Sequence, residues 1–100
     1  MTKGLVFARR ALADLDEIFD HIASDSPVRA RSYVREIEEA CATLRRMPLR
    51  GTSRPDLGPG VRALPLWRRV LVVYVATSDR VEILRIFSAG RDYEAIMRSD

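Results

Sequence analysis

The stretch RVLVVYVATSDRVEILRIFS, residues 69–88, decides how this chain folds. Its first eight residues, RVLVVYVA, are almost continuously apolar and rich in β-branched types, the pattern of a strand covered on both faces. TSDR (77–80) turns the chain, and VEILRIFS (81–88) returns, with Val81, Ile83, Arg85 and Phe87 alternating onto one face. Residues 69–76 are therefore expected at the centre of an antiparallel sheet. Just upstream, VRALPLW (61–67) alternates as another strand, and Pro65 places it at an edge or a bulge because proline cannot donate to a ladder. Three consecutive strands make a meander.

Before the meander, PLRGTSRPDLGPG (48–60) holds three prolines and three glycines and reads as a loop. Two helices precede it. In residues 9–24, Ala11, Leu12, Leu15, Ile18, Phe19, Ile22 and Ala23 fall within an arc of roughly 140° at 100° per residue, with Asp14, Glu17, Asp20 and His21 on the opposite face. Ser26 is a candidate N-cap and Pro27 a first helical residue. Residues 27–47 then place Ala30, Tyr33, Val34, Ile37, Ala40, Cys41, Leu44 and Met47 on one side. So short a link requires an antiparallel helix hairpin. Residues 3–8 read as a first strand, and residues 92–98 as a short last helix capped by Asp92. The order β-α-α-β-β-β-α predicts an α+β fold, a helix hairpin packed on a mainly antiparallel sheet, in a single domain over residues 1–100.

Composition narrows the function classes. At 47% hydrophobic, 100 residues can build one core. No apolar run approaches the ~18 residues of a membrane span, and the N-terminus lacks a signal-peptide core, so a cytoplasmic protein is expected. Cys41 is the only cysteine, which excludes an internal disulfide, and no cysteine or histidine cluster implies a metal or other cofactor. His21, the only histidine, reads as a solvated helix residue. Of 17 basic residues 16 are Arg, and residues 45–69 hold seven of them (45, 46, 50, 54, 62, 68 and 69) against Asp56 alone. A basic face built from this segment attracts carboxylates or phosphates, although a general arginine bias accounts for the ratio equally well.

Several segments in order resemble a known family: ADLDEIFDHIA (13–23), RRMP closing the second helix, PDLGPGVR (55–62) and VEILRIFSAGRD (81–92). They are similar to the ParE branch of the RelE/ParE toxins of bacterial type II toxin–antitoxin systems, over nearly the whole chain. The resemblance implies the fold derived above. It also implies a small ParD-like antitoxin whose acidic, flexible C-terminal part wraps the toxin, and DNA gyrase as the poisoned target. The alternative from RelE-type relatives is ribosome-dependent cleavage of mRNA. Neither membrane association nor sequence-specific nucleic-acid binding is implied.

The site residues follow from both lines of reading. In-line RNA cleavage needs a proton acceptor, a proton donor and a cation. In RIFSAGRDY (85–93), Arg85 and Arg91 offer the cation and Tyr93 a weak donor, but Ser88 stands where many ParE-like chains have His. No catalytic residue is therefore assigned. Arg62, Trp67, Arg68, Arg69, Arg85, Arg91 and Tyr93 are the expected contacts to antitoxin or target. Alternatives stand beside several of them. Arg85, a charge on an apolar strand face, pairs either with an internal carboxylate such as Asp92 or with a partner. Trp67 replaces the small residue of its relatives and is either an interface anchor or satellite core, and Arg69 either a contact or a solvated charge. Tyr33, Ala40 and Met47 are core residues, or else the wall of a groove for an amphipathic helix.

Overall fold

The computed structural model describes residues 3–99. Its elements are β1 (Gly4–Phe7), α1 (Arg9–Ala23), α2 (Pro27–Thr43), β2 (Thr52–Ser53), a 3-10 turn (Pro55–Leu57), β3 (Val61–Leu66), β4 (Val70–Ala76), β5 (Arg80–Ser88) and α3 (Tyr93–Ser99). The sheet runs β1-β5-β4-β3-β2. β1 pairs with β5 in parallel and all other neighbours are antiparallel, so the apolar run of β4 lies at the centre as expected. β2 reaches only Arg62 and Ala63 of β3, which leaves Pro65 at an edge where its missing N–H costs nothing.

The helix hairpin covers one face. Ala11, Leu15 and Ile18 of α1 and Ile37 and Cys41 of α2 pack with Leu44 onto Leu64, Leu66, Val72, Tyr74, Val81, Ile83 and Ile86. Each large apolar side chain buried this way is worth roughly 1.5–3 kcal/mol. The opposite face carries a smaller core of Leu57, Val61, Val73 and Phe87, covered by Tyr93, Ile96 and Met97 of α3. The helix starts obey their local signals. Ser26 Oγ accepts from the Arg29 amide (3.2 Å), and Asp92 Oδ1 accepts from the Ala95 amide (3.3 Å).

Four details differ from the sequence reading. Helix α2 stops at Thr43 rather than residue 47, because the amides of Leu44, Arg45 and Arg46 tighten onto carbonyls three residues back and Pro48 bars a further turn. Met47 is consequently exposed instead of facing the core. The loop 48–60 contains β2 and the 3-10 turn. Arg69 lies in the β3–β4 turn, one residue before its strand. The fourth difference bears on the site. β4 and β5 slip register, with Val73 opposite Arg85 but Tyr74 opposite Ile83, so Leu84 is an extra residue in β5. This bulge breaks the simple alternation. Val81, Ile83 and Ile86 face the helices, whereas Phe87 joins the core on the opposite face.

Candidate functional site

The bulge determines where Arg85 goes. Its Nε and Nη2 donate to Asp14 Oδ2 (2.9 Å) and Oδ1 (3.0 Å) of α1, and its guanidinium carbon lies 4.7 Å from the Phe87 ring centroid. Asp14 Oδ2 also accepts from the Ile86 amide (2.8 Å). β1 covers β5 only as far as Ile83, so Asp14 caps backbone that β1 leaves open. Both side chains are buried. Asp14 therefore does not belong to a solvated face, and it is Asp14 rather than Asp92 that serves Arg85. The buried stripe of α1, Ala11–Asp14–Leu15–Ile18, is turned by roughly 60° from the apolar arc read from sequence, leaving Leu12 half exposed.

Beside this pair a groove of about 780 Å³ opens between the C-terminal half of α1, the N-terminal half of α2 and the strand ends. Ile18, Ile22, Val28, Tyr33 and Ile86 give it an apolar surface. Ser32, Ser88 and Ala89 are too short to fill the space between the elements. The helices bring Glu17, His21, Arg29 and Glu36 to its lining, and the strand ends bring Arg69 and Arg91. Among the described residues, no carboxylate lies within ion-pair distance of Arg29, Arg69 or Arg91. Val28 is 71% exposed, a large apolar residue left uncovered at one end. Burial raises the Tyr33 phenol above its ordinary pKa, and Arg69 partly offsets that rise.

The β3–β4 turn stands at the other end. Trp67 (φ 53°) and Arg68 (φ 58°) are both left-handed, a conformation that side-chain-bearing residues rarely hold. The indole is 51% exposed and its ring centroid lies 6.0 Å from that of Tyr33. On the far face, Arg54 donates from Nη1 to the Tyr93 hydroxyl (3.1 Å) and from Nη2 to Asp56 (2.8 Å) and Glu94 (3.0 Å), clasping α3 to the 3-10 turn. The Arg54 hydrogen bonds hold the Asp56 carboxyl below its usual pKa. Arg62 Nη1 donates to the carbonyls of Gly51 (2.7 Å) and Leu49 (3.3 Å) and so pins the long loop.

The seven sequence candidates thus separate. Arg69 and Arg91 meet in the groove, and Trp67 and Arg68 adjoin it through Tyr33 and Arg69. Arg62, Arg85 and Tyr93 have partners within the fold. Sequence reasoning missed Asp14 and Arg54, whereas His21 is an exposed helix residue as read, at the lining of the groove. Asp14 carried a detectable signal, since it stands one turn from both Ala11 and Ile18. The arrangement suits an amphipathic polypeptide segment, with an apolar surface and unpaired guanidiniums along the strand-side lip. Among the described residues no group of three His, Cys, Asp or Glu side chains is placed to hold a metal ion. Nor, among them, is any helix long and apolar enough to cross a membrane.

Comparison with known proteins agrees with the geometry. Residues 5–93 match the family described as the ParE toxin of the type II toxin–antitoxin system parDE. A chain of the chromosomal ParDE TA system from P. aeruginosa is 34% identical, with a TM-score of 0.73 over 87% of this chain and 96% of that one. HP0894, a conserved hypothetical protein from Helicobacter pylori, shares the fold at 19% identity, with a TM-score of 0.51 over 91% of this chain and 98% of its own. No curated protein matches the sequence. The chain belongs to the ParE family of type II toxin–antitoxin toxins.

Proposed function

We propose that this ParE-family chain is a non-enzymatic toxin that arrests growth by binding and poisoning DNA gyrase in the cytoplasm, and that a ParD-like antitoxin silences it. The observation that carries the reading is the commitment of the C-terminal corner to the fold. Arg85 is buried against Asp14, and the Tyr93 hydroxyl accepts from Arg54. Two of the groups that RNA cleavage would draw on there are engaged, while the open feature is a groove of protein-binding character. The surface assigned to partner binding is Trp67, Arg68, Arg69 and Arg91. Arg62, Arg85 and Tyr93 support it as scaffold.

One observation favours the RelE-like alternative. His21 and Glu17, carried by α1, line the same groove as Arg69 and Arg91 and add proton-transfer groups that the C-terminal segment lacks. Expression of the chain alone in cells carrying an inducible DNA-damage reporter separates the two. Gyrase poisoning induces the reporter as growth stops. Growth arrest with fragmented mRNA and a silent reporter contradicts it in favour of the nuclease, and unimpaired growth contradicts both.

A further inference from the structure

The β3–β4 turn is built against its own backbone preference. The turn spans residues 67–69 between the paired Leu66 and Val70, and is closed by the Arg69 amide donating to the Leu66 carbonyl (3.0 Å). Positive φ at both central residues of such a turn is the pattern that favours Asn-Gly. Here the positions hold Trp67 and Arg68, at φ 53° and 58°. Left-handed backbone in side-chain-bearing residues persists only where surroundings fix it, and it gathers at ligand clamps. The Arg69–Leu66 hydrogen bond spans the turn, and the Trp67 ring lies against Tyr33. The indole nevertheless stays half exposed, so packing alone does not account for the residue. Tyr33 carries its apolar surface directly into the groove, and Arg69 follows two residues after Trp67. Among the described residues, Arg68, Arg69 and Arg91 have no carboxylate partner. An aromatic knob with Arg68 and Arg69 beside it in the turn, and Arg91 meeting Arg69 in the groove, complements a segment that is apolar on one side and acidic on the other.

We propose that Trp67 is the anchor residue for the antitoxin. An acidic amphipathic segment of that partner seats an apolar side chain on the exposed indole beside Tyr33 and directs carboxylates toward Arg68, Arg69 and Arg91. This rests on the toxin–antitoxin reading above. The turn gives up conformational ease to hold the indole there, so binding and fold stability respond in opposite senses when it is replaced. Trp67→Gly frees the backbone at a positive φ and removes the knob. Trp67→Asn keeps a side chain that tolerates the same backbone.

The probe is the ParD-like antitoxin encoded with the toxin, with any tryptophan in it replaced by Phe. Trp67 is then the only indole in the complex, since the toxin has a single tryptophan. Complex formation should shift its emission to the blue. By calorimetry, both variants should bind at least ~30-fold more weakly, as for loss of a buried aromatic anchor. The Tm of each free variant should stay level or rise. Three results overturn the proposal while leaving the toxin–antitoxin reading intact. One is affinity within about threefold of the unaltered toxin. Another is a drop in affinity matched by a drop in Tm, which makes Trp67 only a brace for Tyr33. The third is a blue shift with single-stranded RNA but not with antitoxin. If the unaltered toxin binds no antitoxin, both the proposal and that reading fail.

Discussion

Two arginines, one at the edge of β5 that β1 leaves open and one beside the 3-10 turn, each hold carboxylates, and they do so under opposite conditions. Arg85 meets Asp14 where the two side chains are 10% and 8% exposed. Arg54 meets Asp56 and Glu94 where the arginine is 23% exposed and its carboxylates 47% and 45%. The distances are nearly equal, at 2.9 Å against 2.8 and 3.0 Å. Geometry therefore does not distinguish them; water does. A buried pair has lost its hydration, so removing one member costs far more than it does at the surface. An exposed pair exchanges protein contacts for water at little net cost. The first pair fixes the bulge and the groove wall, and the second fastens a short helix that can open alone.

This contrast predicts a graded series. The largest effect belongs to Asp14→Ala, which leaves the Arg85 charge buried and the Ile86 amide without its acceptor. A loss of about 3–5 kcal/mol is expected in urea unfolding. The double variant Asp14→Asn with Arg85→Met keeps an acceptor for Ile86, removes both charges and should recover most of that loss. A single-variant loss under ~1 kcal/mol contradicts the buried assignment.

Next comes Tyr74→Phe, a buried neutral case. The Tyr74 hydroxyl donates to the Pro48 carbonyl and accepts from the Gly51 amide, both at 2.8 Å, and an added Cβ at Gly51 would lie 2.7 Å from the same ring. Losing the hydroxyl should cost about 1–3 kcal/mol by the same measurement. A cost matching that of Asp14→Ala would mean that charge adds nothing to the penalty.

Arg54→Ala should leave global stability nearly unchanged, yet speed amide exchange through α3 by a measurable factor. Unchanged exchange in α3 would show that Tyr93, Ile96 and Met97 hold the helix unaided. The smallest effect is a pH response at the same place. Asp56 has a folded pKa below its unfolded value of ~3.9, so its contribution is complete above that value. It is lost as pH falls through the folded pKa. Protection of α3 should therefore fall with acidification below about pH 4, ahead of the hairpin-side core. Simultaneous loss of both regions contradicts independent opening.

Much of the fold was legible in the sequence because its signals are local. The apolar run of β4, the Ser26–Pro27 start of α2 and the Asp92 cap each depend on neighbours within four residues, and each forms as read. The bulge at Leu84 was not legible. It arises from the register between β4 and β5, and strict alternation put Phe87 on the wrong face. Asp14 was misplaced for a related reason, since a charge on a helix flank looks solvated until a long-range partner is known. The groove was half legible. Arg69, Arg91 and Trp67 were chosen from the chain, but the residues of α1 and α2 that complete the lining come together only in the tertiary fold. Likewise, the positive φ of Trp67 and Arg68 reflects the tight turn and the Tyr33 contact rather than any preference of their own.

The central claim, that this toxin works by protein binding rather than RNA chemistry, is tested most directly with purified components. Toxin, DNA gyrase, ATP and plasmid DNA are incubated together, then treated with detergent and protease. The account predicts linear DNA that accumulates with toxin and disappears when antitoxin is added first. Intact plasmid at every toxin concentration, together with mRNA cut on ribosomes by the same preparation, would contradict it.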